Sequence, residues 1–328
     1  MVEILYCLEY PFMRKTFAAI NRHLEADSAY VPLRPAARNC WASVRQIPPD
    51  SWTVDAIDAA VASVDPAVIV ANSRFRPGDL AFRADYPLVH VRHGSSVGRG
   101  EWETIAELDG VLDVALAPGE YWRRRYREIV TDDVATPVVG IPEADHLVDA
   151  PPPDERRVLY APTNHNYGGG SYLETADQVL DVIADSSFEL QFRPHPHDRS
   201  EEPGKSVTER CKARIADLPN VTFDDEPTPQ ASMRDAAILV SDYSGIVTEW
   251  LHTGRPLVQC TGVASGDSVP QLGYTTDRLT SELLARLLED GYPAAVERAV
   301  ERRRSQLGIP MDGHAGERAA QEVMACTP

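Results

Sequence analysis

Lysine is nearly missing from this chain: of its 32 basic residues only Lys15, Lys205 and Lys212 are lysines. Positive charge of any kind is outweighed, since the formal net charge is −18. A field of that sign repels nucleic acid and anionic lipid, so an anionic ligand has to be held by a local basic pocket. Nucleic acid is therefore not an expected partner. Cysteine is scarce as well, and Cys7, Cys40, Cys211, Cys260 and Cys326 form no CxxC pair. That argues against a zinc site or a disulfide framework and leaves them as reduced packing residues. No apolar run approaches the ~20 residues that span a bilayer, and the start, Met1-Val2-Glu3-Ile4-Leu5-Tyr6, lacks the basic residues and long apolar stretch of a signal peptide. The expected location is cytoplasmic. Heptads, internal repeats and low-complexity tracts longer than three prolines are lacking too, which disfavours repeat architectures.

What is present is ordinary for a globular enzyme: 43% hydrophobic and 25% charged residues. At 328 residues the chain exceeds the usual size of one hydrophobic core, so two domains are expected. Short apolar runs at Ile4–Leu8, Ala67–Val70, Leu88–Val91, Val111–Ala117 and Val138–Val139 read as strands separated by helices. A second series follows at Val158–Tyr160, Glu189–Phe192, Val221–Phe223, Ala237–Val240 and Leu257–Gln259. Alternation of this kind implies parallel sheets with helices on both faces. The acid-flanked proline run Asp149-Ala150-Pro151-Pro152-Pro153-Asp154 is the best linker candidate. The expected architecture is two α/β, Rossmann-like lobes with a cleft between them, spanning residues 1–150 and 151–305. Helices are expected at Ala294–Leu307 and Gly316–Met324, the segment 306–328 crossing back to the first lobe.

In open parallel sheets ligands bind beyond the carboxyl ends of the strands, and four strand exits carry polar residues. The strongest runs Val240-Ser241-Asp242-Tyr243-Ser244-Gly245-Ile246-Val247-Thr248-Glu249. Ser244 and the amides of Gly245 and Ile246 suit a phosphate at the positive end of the helix that starts there, and Glu249 suits ribose hydroxyls. The plainer alternative makes Asp242 or Ser244 a helix cap; a carboxylate repels a diphosphate, so Asp242 is expected to orient the loop. The second exit, Phe192-Arg193-Pro194-His195-Pro196-His197, offers Arg193 to an anion and His195 as a donor to one. Third is Tyr160-Ala161-Pro162-Thr163-Asn164-His165, where Thr163 suits a phosphate contact; the glycines Gly168-Gly169-Gly170 after it fit no phosphate-loop motif and read as a flexible loop. In the first lobe, Val91-Arg92-His93-Gly94-Ser95-Ser96-Val97-Gly98 places His93 where a strand ends, as a general base or as a packing residue. His90 reads as packing.

Taken in order, these residues resemble the CDP-glycerol glycerophosphotransferase family, which builds teichoic-acid-type polymers on a two-lobed GT-B scaffold. The resemblance is carried by His93-Gly94, by Gly140-Ile141-Pro142-Glu143-Ala144-Asp145, and by Tyr160-Ala161-Pro162-Thr163. Arg193-Pro194-His195-Pro196, Ser241-Asp242-Tyr243-Ser244 with Glu249, Gly254-Arg255-Pro256 and Asp312-Gly313-His314-Ala315-Gly316-Glu317-Arg318 complete it. The chain departs from the family pattern at Glu143, where an arginine is usual, at Asn164-His165, and at Ser95-Ser96-Val97-Gly98. The resemblance implies transfer of a glycerophosphate or similar polyol phosphate from a CDP-activated donor to an acceptor hydroxyl on a polymer or lipid-linked acceptor, with release of CMP. It implies His93, His195 and Arg193 as catalytic, Thr163, Asp242, Ser244, Gly245 and Glu249 on the donor side, and Gly94, Ser95 and Asp145 on the acceptor side. No cofactor is required; a divalent cation such as Mg is compatible, although no carboxylate pair calls for one. The alternatives are a GT-B glycosyltransferase using a nucleotide sugar, a hydrolase or epimerase, or a nucleotide-binding protein without catalysis. The basic stretch Tyr121-Trp122-Arg123-Arg124-Arg125-Tyr126-Arg127 reads as a solvated helix face, with peripheral contact at the inner face of the cell membrane as its alternative.

Overall fold

The computed structural model describes residues 2–72, 85–97, 102–148, 150, 153, 156–166, 170–260 and 271–327. Most of the expected linker at Asp149–Asp154, Gly98, and Gly168 with Gly169 lie outside the described residues.

The first unit comprises Met1–His93, Gly100–Asp145 and Gln306–Pro328. Its strands are β1 (Ile4–Leu8), β2 (Ser28–Pro32), β3 (Arg45–Gln46), β4 (Val68–Ala71), β5 (Leu88–Val91) and β6 (Val114–Leu116). They form a parallel sheet in the order β3-β2-β1-β4-β5-β6. Every residue of β1, β4, β5 and β6 is buried, as a sheet covered on both faces requires, and continuous apolar runs satisfy that requirement. The interleaved helices are α1 (Arg14–Asn21), α2 (Val54–Ala62), α3 (Trp102–Leu108) and α4 (Glu120–Arg127). On α4 the rings of Trp122 and Tyr126 are buried, while Arg123 pairs with Glu120 and Arg125 with Glu128, both at 2.6 Å. The basic stretch is thus an amphipathic surface helix whose arginines are partly satisfied by their own neighbours.

The second unit, Gly94–Arg99 with His146–Ser305, repeats the plan. Its strands are β7 (Arg157–Tyr160), β8 (Glu189–Phe192), β9 (Val221–Phe223), β10 (Ile238–Ser241), β11 (Leu257–Cys260) and β12 (Tyr274–Thr276). The sheet order is β12-β11-β10-β7-β8-β9, again parallel. Counted from its own first strand this is the same 3-2-1-4-5-6 order as the first sheet, so each sheet reverses direction between its first and fourth strands. That reversal point is where doubly wound sheets bind ligands. Helices α5 (Tyr172–Ala184), α6 (Pro196–Ser200), α7 (Gly204–Ile215), α8 (Gln230–Asp235), α9 (Gly245–Trp250), α10 (Ser281–Asp290) and α11 (Ala294–Leu307) follow in chain order. The phenols of Tyr160 and Tyr172, buried among apolar side chains, are satisfied by Thr175 and Thr208, each at 2.7 Å, which removes the cost of burying them.

The last helix, α12 (Ala315–Ala325), belongs to the first unit. Ala319, Ala320 and Val323 enter that unit's core. A Cβ at Gly316 would lie 2.6 Å from the Ala19 carbonyl oxygen of α1, so glycine is what permits the close crossing. Asp145 closes the arrangement: its carboxylate accepts the α12 amides of Ala315 at 3.0 Å and Gly316 at 2.7 Å. A carboxylate at a helix amino terminus satisfies orphan N–H groups and complements the helix dipole. Asp145→Ala is expected to destabilise the first unit by about 1 kcal/mol, lowering Tm by a few degrees in a calorimetric scan, with the second unit's transition unmoved.

Candidate functional site

At the reversal point of the second sheet, the exits of β7 and β10 are held together by one side chain. Asp242, the residue after β10, is 1% exposed. Its Oδ1 accepts the amides of Thr163 at 3.0 Å, Tyr243 at 2.7 Å and Ser244 at 3.1 Å. Its Oδ2 accepts the Ser171 amide at 3.1 Å and the Ser171 hydroxyl at 2.9 Å. Burial pushes this carboxyl above its ordinary pKa, while the hydrogen bonds from Ser171, Thr163 and Tyr243 pull the other way. Because every group facing it is a donor, the ionised form is the one this environment is built to hold. The loop after β7, the start of α5 and the turn into α9 are therefore set by a single anion.

Gln259, at the end of β11 and fully buried, fixes the same loop from the other side. Its amide nitrogen donates to the Asp242 carbonyl at 2.6 Å, and its amide oxygen accepts the backbone N–H groups of Leu272 at 2.7 Å and Gly273 at 3.0 Å. Neither Gln259 nor Ser171 was among the expected site residues. A polar side chain inside the otherwise apolar strand Leu257–Cys260 is the signal for the first, since a buried amide needs partners.

Ser244 and Gly245 sit at the start of α9, whose first backbone bond runs from the Val247 amide to the Ser244 carbonyl at 3.0 Å. The amides of Gly245 and Ile246 precede that bond, as the first N–H groups of any helix do. Gly94 and Ser95 pack in the same unit: a Cβ at Gly245 would lie 3.1 Å from Gly94 Cα and 3.4 Å from the Ser95 amide. A side chain at Gly245 would push this neighbour away. Thr163, Asp242, Ser244, Gly245, Gly94 and Ser95 are thus brought together. Glu249 lies one turn along α9 and is fully buried.

The other expected groups have structural employment. Arg193 does not stand open to a phosphate: it donates to Asp224 at 2.7 Å and to the Glu226 carbonyl at 2.7 Å, anchoring the turn after β9. Asp145 caps α12. His195 caps α6, its Nδ1 accepting the His197 amide at 3.2 Å. That bond puts the neutral ring's proton on Nε2, the tautomer that donates to an anion. His165, in the loop after β7, donates its amide to Asp198 of α6 at 3.2 Å, and its Nδ1 also meets that carboxylate. The loops bearing Thr163 and His195 are thereby tied. In the first unit His93 follows β5 and places Nδ1 2.9 Å from the Asn72 carbonyl. Among the described residues no group of three or more His, Cys, Asp or Glu is arranged to hold a metal ion, and no helix is long and apolar enough to cross a membrane.

Solved structures share this architecture. The wall teichoic acid polymerase TagF matches with a TM-score of 0.70 at 13% identity, covering 98% of this chain and 88% of that one. The chain has the GT-B fold. MnaA of S. aureus, solved with UDP, matches at 0.65 and 12% identity over 99% and 96% of the two chains. The UDP-GlcNAc 2-epimerase of Neisseria meningitidis, bound to UDP-GlcNAc, matches at 0.62 and 13% identity over 98% and 100%. No protein-family model and no curated protein matches the sequence. Likenesses at these identities establish the GT-B fold; they do not carry an activity over.

Asp242→Asn would turn an amide NH₂ toward backbone donors. It is expected to cost on the order of 2–3 kcal/mol, read as a fall in the denaturant midpoint. Gln259→Glu, which sets an oxygen against the Asp242 carbonyl, is expected to act in the same direction.

Proposed function

We propose that this chain is a transferase that takes a nucleoside diphosphate-activated donor and moves a glycerophosphate or similar polyol-phosphate group from a CDP-activated form to an acceptor hydroxyl, releasing CMP. The observation that carries the reading is the loop pair organised by Asp242 at the reversal point of the second sheet. Support comes from the likeness in fold to TagF, one of whose structures is of an H444N variant soaked with CDPG.

In this reading Ser244 and the amides of Gly245 and Ile246 take the donor phosphates, and Thr163 lines their site. Nε2–H of His195 donates to the same charge, and Glu249 serves the ribose end. Asp242 binds no phosphate; it shapes the loop that does. Such phosphoryl chemistry depends mainly on positioning and charge stabilisation. The attacking hydroxyl loses its proton to His93. Arg193, two residues before His195, acts from behind by anchoring the turn after β9 through Asp224 and the Glu226 carbonyl.

A second reading is a nucleotide-sugar enzyme, favoured by the matches to MnaA with UDP and to the epimerase with UDP-GlcNAc. Its chemistry would lie at a sugar carbon and not at phosphorus. Incubation with CDP-glycerol separates the possibilities: CMP released only when an acceptor is added means transfer, CMP released without one means hydrolysis, and binding without release means a sensor. In a thermal-shift series of cytidine and uridine diphosphate donors, CDP-glycerol is expected to raise Tm by several degrees, since ligand at about 100 times Kd adds ~2.7 kcal/mol. A shift with uridine donors alone selects the second reading, and no shift with any nucleotide overturns both. His93→Ala is expected to lower kcat by about 10²–10⁴-fold while leaving the donor Kd in place.

A further inference from the structure

Resting on the reading of His93 as the base, we propose that Asn72 is a positioning residue that fixes the His93 ring in one tautomer, with the proton on Nδ1 and the reacting lone pair on Nε2. Asn72 is the first residue beyond β4, fully buried, and its peptide carbonyl lies 2.9 Å from His93 Nδ1. A carbonyl oxygen only accepts, so Nδ1 must be the donor. The neutral imidazole then carries its lone pair on Nε2, the nitrogen that can take a proton.

What holds the carbonyl in place is the Asn72 side chain. Its amide nitrogen donates to the Met13 carbonyl at 3.1 Å, tying the exit of β4 to the turn after β1. Phe12, the neighbour of Met13, lies against the His93 ring at 6.0 Å between centroids and 60° between planes. One turn therefore sets two contacts of the imidazole: the ring contact directly and the hydrogen bond through Asn72. The first sheet reverses between β1 and β4, so the anchor spans its reversal point, and the base sits one strand along, just beyond β5. Taking the hydroxyl proton at Nε2 makes the ring an imidazolium, and the Nδ1–H bond to the carbonyl becomes charge-assisted, which favours the charged form as the acceptor attacks. Only an amide serves here: aspartate would oppose the Met13 carbonyl with another acceptor, and leucine would leave it unpaired.

Long-range ¹H–¹⁵N correlation spectra of histidine-labelled protein without ligand, recorded with the ring neutral, test the assignment directly. Wild-type His93 is expected to show a protonated Nδ1 and an unprotonated Nε2; the reverse tautomer overturns the proposal whatever the variants do. Asn72→Asp and Asn72→Leu are expected to mix the two tautomers and to lower kcat by about 10–100-fold with the donor KM unchanged. Unchanged tautomer and unchanged kcat in a folded variant also overturn it. If His93→Ala retains full turnover, the base reading is lost, while the wild-type tautomer still decides the role of Asn72.

Discussion

A buried carboxylate surrounded by donors is the constraint on which the loops at the strand exits of the second unit depend. Asp242 can only accept, and it is satisfied by backbone or hydroxyl donors from Thr163, Ser171, Tyr243 and Ser244. Its position is inseparable from theirs: none of these loops can shift without leaving buried polar groups unpaired, which costs far more than a surface contact. Rigidity of these loops is what a site acting by positioning needs, because misplacement of a phosphate by an ångström forfeits most of the benefit.

The same economy separates groups that build the site from groups that meet a ligand. From sequence, a charged residue after a strand invites a chemical role, and Arg193 and Asp145 fit that expectation equally well. The structure gives both a structural partner as well: Asp224 for Arg193, and the amides of Ala315 and Gly316 for Asp145, 31 to 171 positions away. Partners that distant leave no local pattern. Asp242 was legible in part, because the repulsion between a carboxylate and a diphosphate argued for a loop-orienting role before any geometry was known. Ser171 and Asn72 were not, since a serine before a helix and an asparagine after a strand are commonplace caps and turn residues.

The fold was legible where a strand carries a distinct apolar run, whether it is fully buried, as β1 and β5 are, or only partly, as β8 and β9 are. Strands β1, β5, β8 and β9 coincide with their expected runs, and α11 spans Ala294–Leu307 as its spacing predicts. Strands β2 and β3 were missed: Ser28–Pro32 ends in proline, and Arg45–Gln46 is a two-residue edge with polar side chains. β12, Tyr274–Thr276, fails for the same reason, being only partly buried at the sheet's margin. Val111–Ala117 proved longer than β6, because Gly110 with φ of 85° leads into a turn before Val114. Apolar runs mark strands well, at the edge strand β9 as in the interior, and short polar strands such as β3 leave no such mark.

The place of α12 has a consequence for synthesis. Ala319, Ala320 and Val323 complete the core that Ile4, Tyr6 and Phe17 begin, yet a ribosome makes them only after every strand of the second unit. The first unit's core therefore cannot be completed before the second unit's strands have been made, unlike a chain whose first domain is complete when synthesis reaches the next. Until then the face of α1 around Ala19, which α12 crosses closely at Gly316, lacks its cover.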